Sequence, residues 1–238
     1  MFQKPFYKNP ELICPRVLSF EMFSVKQCNK MLESISKYSL HAPKRKPNSM
    51  NNYGTVLPKD EMKHLTTFVN AHTDMFEDIG QGSKLILNHA FTVRYNNYED
   101  LALDMHTDDS DITCNVCIGK KFKGGDLAFC GQQHEQDHRK LRYIYNHKIG
   151  YAVIHPGFQR HGALPLITGE RINLVMWFKY IIPIPRRPYI RGASDPVCVS
   201  HTHDNDGSQS NGVNAFKHST PFSLKILKSC ADDQSQFD

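Results

Sequence analysis

Residues 85–182 contain a succession of short runs: LILNHAFTVRY (85–95), LALDMH (101–106), DITCNVCIG (111–119), DLAFC (126–130), RYIY (142–145), GYAVIH (150–155) and RINLVMWFKYII (171–182). The runs are rich in β-branched, aromatic or alternating apolar residues, and Asn, Asp and Gly supply turns between them. No helical stretch separates them. Many short strands in series close into a sandwich or barrel. The expectation is a mainly β domain over residues 85–183, a double-stranded β-helix (jelly roll).

Upstream, residues 1–84 read as a helical support region. Phe20, Phe23, Val25, Cys28, Met31, Leu32 and Ile35 recur at near-helical spacing, and Ser24 is placed to cap a helix ending near Tyr38. Two prolines, the Asn/Ser cluster and Gly54 make APKRKPNSMNNYG (42–54) a loop. Helical spacing returns through Met62, Leu65, Phe68, Val69, His72 and Phe76, and Gly80 and Gly82 end it. Residues 184–238 turn polar, as in SHTHDNDGSQSNGVN (200–214), and are expected to form a disordered tail.

The 238 residues suit one domain with short additions. Mean hydropathy is −0.50, and no apolar stretch approaches the length of a membrane span, so no integral membrane role is expected. Pro5, Lys8, Pro10 and Glu11 stand where a signal peptide needs a continuous apolar segment, so the expected location is intracellular, cytoplasmic or nuclear. Seven cysteines at scattered spacings read as reduced thiols. The net charge of +5 sits in short clusters, Lys44–Lys46 and Arg186, Arg187 and Arg191. These read as solvated faces lying away from the metal strands, so nucleic acid is not the expected partner.

Within the β-rich half stands His106-Thr107-Asp108. On an extended segment the two outer side chains share a face and can reach one metal. A second histidine completes the facial triad that leaves positions open on non-haem Fe(II), and the candidate is His161. The same letters recur at His72-Thr73-Asp74, but that pair falls in a helical stretch, where i and i+2 do not share a face. Ten residues after His161, Arg171 opens a strand. Its guanidinium stays charged when desolvated and offers a planar fork to a carboxylate-bearing co-substrate. Cys114 and Cys117 have the spacing of a zinc half-site, yet in a strand they point to opposite faces and read as small buried residues. His201, His203 and Asp204 in the tail read as solvated.

KPNSMNNYG (46–54), FTVRYNNYEDLALDMHTDDSDITCNVCIGKKFKGGDLAF (91–129), HPGFQRHGALPLITGERINLVMW (155–177) and the spacing between them carry a resemblance over roughly residues 15–182. The chain resembles Fe(II)- and 2-oxoglutarate-dependent oxygenases of the prolyl and lysyl hydroxylase type. The resemblance implies iron ligands at His106, Asp108 and His161, and Arg171 as the grip on the distal carboxylate of 2-oxoglutarate. It further implies Tyr95 and Asn115 beside the co-substrate, O2 as oxidant, L-ascorbate as reductant, and release of succinate and CO2. An unknown protein or peptide is then the expected substrate. Strand alternation agrees for Asn115, since Thr113, Asn115 and Cys117 share one face.

Two rival readings lose on residues. Nucleic-acid dealkylases of the AlkB kind carry RxNxxxR after the distal histidine; here Arg171-Ile172-Asn173 begins the pattern, but Trp177 stands at the closing arginine. A silent jelly-roll binding module would not need all four core positions, which are intact. Substrate choice is expected to lie in loops at the barrel mouth, with 46–54 and 131–148 as candidates.

Overall fold

In the computed structural model, which describes residues 10–73, 84–131 and 139–181, the chain opens with a hairpin, β1 (Glu11–Cys14) and β2 (Val17–Glu21). Then come α1 (Val25–Ser39), β3 (Gly54–Val56), α2 (Lys59–Met62) and α3 (Thr66–Thr73). Nine strands follow: β4 (Leu85–Asn96), β5 (Leu103–His106), β6 (Ile112–Gly119), β7 (Phe122–Gly124), β8 (Leu127–Cys130), β9 (Leu141–Tyr145), β10 (Tyr151–Pro156), β11 (His161–Ala163) and β12 (Leu166–Tyr180). The larger sheet runs β1-β2-β10-β6-β12-β4-β3, with β7 also on β12, and the smaller runs β5-β11-β8-β9. Every ladder is antiparallel, and the crossing connections between the two sheets make the expected jelly roll.

Alternation decides where side chains point. On β6, Ile112, Cys114, Val116 and Ile118 join a core with Leu174, Met176 and Phe178 of β12 and with Cys28, Met31 and Ile35 of α1. The other face of the larger sheet carries Phe91, Val93, Tyr95 and Val175, which pack with Ala163 and Leu166. Between β10 and the smaller sheet, Val153 packs with Leu127 and Phe129. The larger sheet therefore has a helix-covered back and a front that faces the smaller sheet, and Arg171, Asn115 and Thr113 fall on that front by parity.

α1 begins as expected. Ser24 Oγ accepts from the Gln27 N–H (3.3 Å) while the Ser24 N–H donates to Gln27 Oε1 (2.8 Å), a reciprocal cap worth about 1 kcal/mol. Burial of Met31 and Ile35 contributes roughly 1.5–3 kcal/mol each.

Residues 1–84 are not a purely helical support. β2 pairs with β10 and β3 with β4, so this region extends the larger sheet at both edges. Val17, Leu18, Ser19 and Phe20 are all buried, and a strand covered on both faces shows no alternation to read. The second helix is also divided: α2, a 3-10 turn at Lys63–Leu65, and α3 in place of one helix. Met62, Leu65 and Val69 still reach the core. Of the His72–Asp74 pair, His72 lies on α3 and Asp74 lies outside the described residues, as do 184–238 and the cationic cluster at 186–191. No helix among the described residues is long and apolar enough to cross a membrane.

Candidate metal centre and co-substrate pocket

His106 ends β5 and lies opposite His161 in β11, so the ladder itself places the two imidazoles side by side, 4.5 Å between ring centres. Asp108 lies past the strand end, and its position is set differently from the sequence expectation of one continuous strand face. Its N–H donates to the carbonyl of Gly157 (2.8 Å), and the Gly157 N–H donates back to Asp111 O (3.0 Å). This clasp swings the carboxylate in: Oδ1 is 3.4 Å from His106 Nε2 and Oδ2 is 3.7 Å from His161 Nε2. One ligand atom from each of the three residues falls within 4.8 Å of the others.

The surrounding hydrogen bonds leave these atoms available. His106 Nδ1–H donates to Asp104 O (2.7 Å) and His161 Nδ1–H to Gln159 O (2.9 Å), which fixes each Nε2 as a lone-pair donor pointing into the cluster. Thr113 Oγ1 donates to Asp108 Oδ2 (2.6 Å). Burial pushes the Asp108 carboxyl up, but the His161, His106 and His155 imidazoles and the Thr113 hydroxyl outweigh it and hold it well below the usual range. Burial, foremost, pushes His161 down to about 3. Burial presses His106 down, but the Asp108 carboxylate outweighs burial and raises it; a metal would take the place of that proton, and two imidazole nitrogens with one carboxylate form a donor set that fits Fe(II).

A Cβ on Gly157 would stand 1.9 Å from Ser110 O, a contact that only glycine relieves. Gly157→Ala is therefore expected to push the turn carrying Asp108 outward. Mn(II) affinity should fall roughly tenfold or more, as for the loss of an outer support, and a calorimetric titration would read it; affinity within twofold of the parent would show that the turn yields without moving Asp108.

Arg171 is buried on the front of the larger sheet, 1% exposed. Nε donates to Asn173 Oδ1 (3.1 Å), Nη1 to Gly125 O, and Nη2 lies 3.4 Å from His147 Nδ1. The Tyr95 ring lies under the guanidinium, 5.4 Å from its centre, and the Tyr95 hydroxyl accepts from Asn51 Nδ2 (3.1 Å). Asn115 Oδ1 accepts from Asn173 Nδ2 (2.6 Å). Tyr95, Asn115 and Arg171 thus belong to one buried cluster, joined through Asn173. Among the described residues no carboxylate pairs with Arg171, so this buried cation stands ready for an anion.

Sequence reasoning missed His147, Asn51 and His155. Asn173 was visible as the i+2 neighbour of Arg171, but its role was not drawn. His147 had no spacing signal: it follows the edge strand β9, within the 131–148 stretch assigned to the mouth. Residues 132–138 lie outside the described residues; in the rest of that stretch Leu141–Tyr145 form β9 and His147 meets Arg171. Cys114 and Cys117 are buried with thiols pushed up by burial, Cys117 to about 11, as inert packing residues should be.

Burial and the neighbouring guanidinium press His147 down to about 3. Between that value and the ordinary one near 6.5, the unfolded chain holds a proton that the fold refuses, so stability is full above that range and declines as pH falls through it. The contribution is up to about 1.4 kcal/mol per pH unit. In denaturant melts from pH 7 to pH 4, His147→Asn should show a shallower loss by about one proton; an unchanged slope would mean His147 titrates normally.

Beside the metal cluster a cavity of about 250 Å³ is lined by Asn48, Met50, His89, Thr107, Asp109 and Trp177. The 46–54 loop thus reaches the mouth as expected. Lys44, Arg45 and Lys46 are exposed and precede the lining residues Asn48 and Met50 in sequence.

A jelly roll that converges two imidazoles and a carboxylate, and buries an arginine that forms no ion pair among the described residues, fits the non-haem Fe(II) oxygenase class. A crystal structure of prolyl 4-hydroxylases from Phytophthora capsici shares the fold, with a TM-score of 0.51 at 15% identity over 71% of this chain and 60% of that one. The chain belongs with the 2-oxoglutarate and iron-dependent oxygenase domain-containing proteins. It is 31% identical over 220 residues to the member ICU11 of Arabidopsis thaliana, covering 85% of this chain and 55% of that protein. To protein 2 of Homo sapiens it is 33% identical over 191 residues, covering 77% and 52%. The chain spans about half the length of these curated relatives. No protein-family model matches it.

Proposed function

We propose that the chain is an Fe(II)- and 2-oxoglutarate-dependent dioxygenase that hydroxylates a protein side chain. The observation that carries the reading is the convergence of His106, Asp108 and His161 in a jelly roll that also buries Arg171, with which no carboxylate among the described residues forms an ion pair. Bound iron supplies dioxygen activation coupled to decarboxylation of 2-oxoglutarate to succinate and CO2, with ascorbate as reductant. The protein's own work is positioning. His106 and His161 present Nε2, Asp108 presents an anionic oxygen steadied by Thr113, and Arg171 offers its remaining N–H groups to the distal carboxylate while Tyr95 closes over its face. Asn115 lines the same pocket through Asn173.

A protein side chain as substrate is supported by the resemblance of the motif passages to prolyl and lysyl hydroxylases and by Trp177, which lines the cavity where a dealkylase would carry arginine. The cations at 44–46 favour nucleic acid instead, and the test must separate the two. Purified protein with Fe(II), ascorbate and 2-oxoglutarate is offered cell-extract protein or methylated single-stranded oligonucleotide. Protein should stimulate succinate release and emerge one oxygen heavier, whereas oligonucleotide binding should be weak. Stimulation by methylated oligonucleotide that Asp108→Ala abolishes would overturn the protein substrate and leave the iron and co-substrate reading standing.

A further inference from the structure

We propose that His147 is a positioning residue for the co-substrate: its Nδ1 holds the Arg171 guanidinium and the Asn173 amide in the orientation that aims the fork of Arg171 at a carboxylate. The inference rests on the dioxygenase reading and extends it to a residue outside the motif passages.

The partners of His147 agree on a single tautomer. Tyr151 O can only accept, so Nε2, 2.9 Å away, carries the hydrogen. Arg171 Nη2 and Asn173 Nδ2 can only donate, so Nδ1, 3.4 and 3.3 Å from them, carries the lone pair. A protonated ring would set an N–H against a guanidinium and lose both contacts.

The guanidinium has five N–H donors. Nε is taken by Asn173 Oδ1, one hydrogen of Nη1 by Gly125 O and one of Nη2 by His147 Nδ1. One N–H remains on each Nη, and that pair is the two-pronged face a carboxylate accepts. All three of these acceptors are neutral, Asp126 acts on the guanidinium only through space, and among the described residues no carboxylate occupies that two-pronged face. His147 also orders the Asn173 amide, whose Oδ1 must face Arg171 and whose Nδ2 must face Asn115. His147, Arg171 and Asn173 are each at most 1% exposed, so no water can readily take the place of a lost partner.

The test is calorimetric titration of 2-oxoglutarate into Mn(II)-loaded protein, with Mn(II) affinity measured separately. His147→Leu should weaken 2-oxoglutarate binding roughly tenfold, the loss of a hydrogen bond to a charged group, with Mn(II) affinity within about twofold of the parent. His147→Asn, whose Oδ1 falls where Nδ1 stood, should recover most of the affinity. His147→Gln, whose oxygen falls at the Nε2 position, should not, and this polar pair decides the matter if the leucine variant fails to fold. Equal affinity in the Asn and Gln variants, or parental affinity in His147→Leu, would overturn the inference while the dioxygenase reading stands. A parent protein that binds Mn(II) but no 2-oxoglutarate would sink both.

Discussion

Asp108→Ala protein should take up neither Fe(II) nor Mn(II) at concentrations that saturate the parent, and should release no succinate from 2-oxoglutarate. Asp108 supplies the only anionic ligand of the cluster, and without it two neutral imidazoles remain. Loss of an outer partner alone costs roughly 10–100-fold in metal affinity, and removal of the ligand should exceed that. The fold should survive, since the ladder that pairs His106 with His161 does not involve the Asp108 side chain. His106→Ala should behave alike, and His72→Ala should retain full metal binding. Equal loss in all three would place the metal elsewhere; retained binding in Asp108→Ala would remove the carboxylate from the site.

The second large effect is expected at Arg171. Arg171→Lys keeps a cation but cannot reproduce its geometry: an ammonium has no fork, and it would forfeit most of the contacts to Asn173, Gly125 and His147. Breaking one side of a buried, hydrogen-bonded charge pair costs about 2–5 kcal/mol. Because lysine retains charge, the lower end applies, and the apparent KM for 2-oxoglutarate should rise about 30-fold or more. Metal content should be preserved, since Arg171 is not a member of the ligand cluster. Steady-state kinetics at saturating Fe(II), with metal analysis of the same samples, would check it. An unchanged KM would return Arg171 to the role of a buried strand residue.

The parts of this site that could be read from sequence are those where local geometry and chemistry coincide. His106, His161 and Arg171 each sit in or at the end of a strand, and the decoy at His72 is set aside because it lies on a helix. β6 was legible because Thr113 and Asn115 mark one face as polar within an apolar run. β2 was not, because burial on both faces erases the period, and β11 spans three residues, too few to show one. Asp108 does meet His106 and His161, but the Gly157 clasp rather than strand parity brings it round. His147 was illegible because it meets Arg171 from 24 positions away, through a chain crossing that no short window contains.

The two halves of the site belong to different sheets: His106 and His161 to the smaller, Arg171, Asn115 and Tyr95 to the larger. The span that a dicarboxylate must bridge is thus an inter-sheet distance, held by core side chains such as Phe129, Val153, Phe91 and Val175. The interior then works as a caliper. Discrimination against a diacid a methylene longer or shorter would be set by how thickly that interior is packed, so a change of volume at Phe129 or Phe91 would retune which chain length is accepted, with every contacting residue intact.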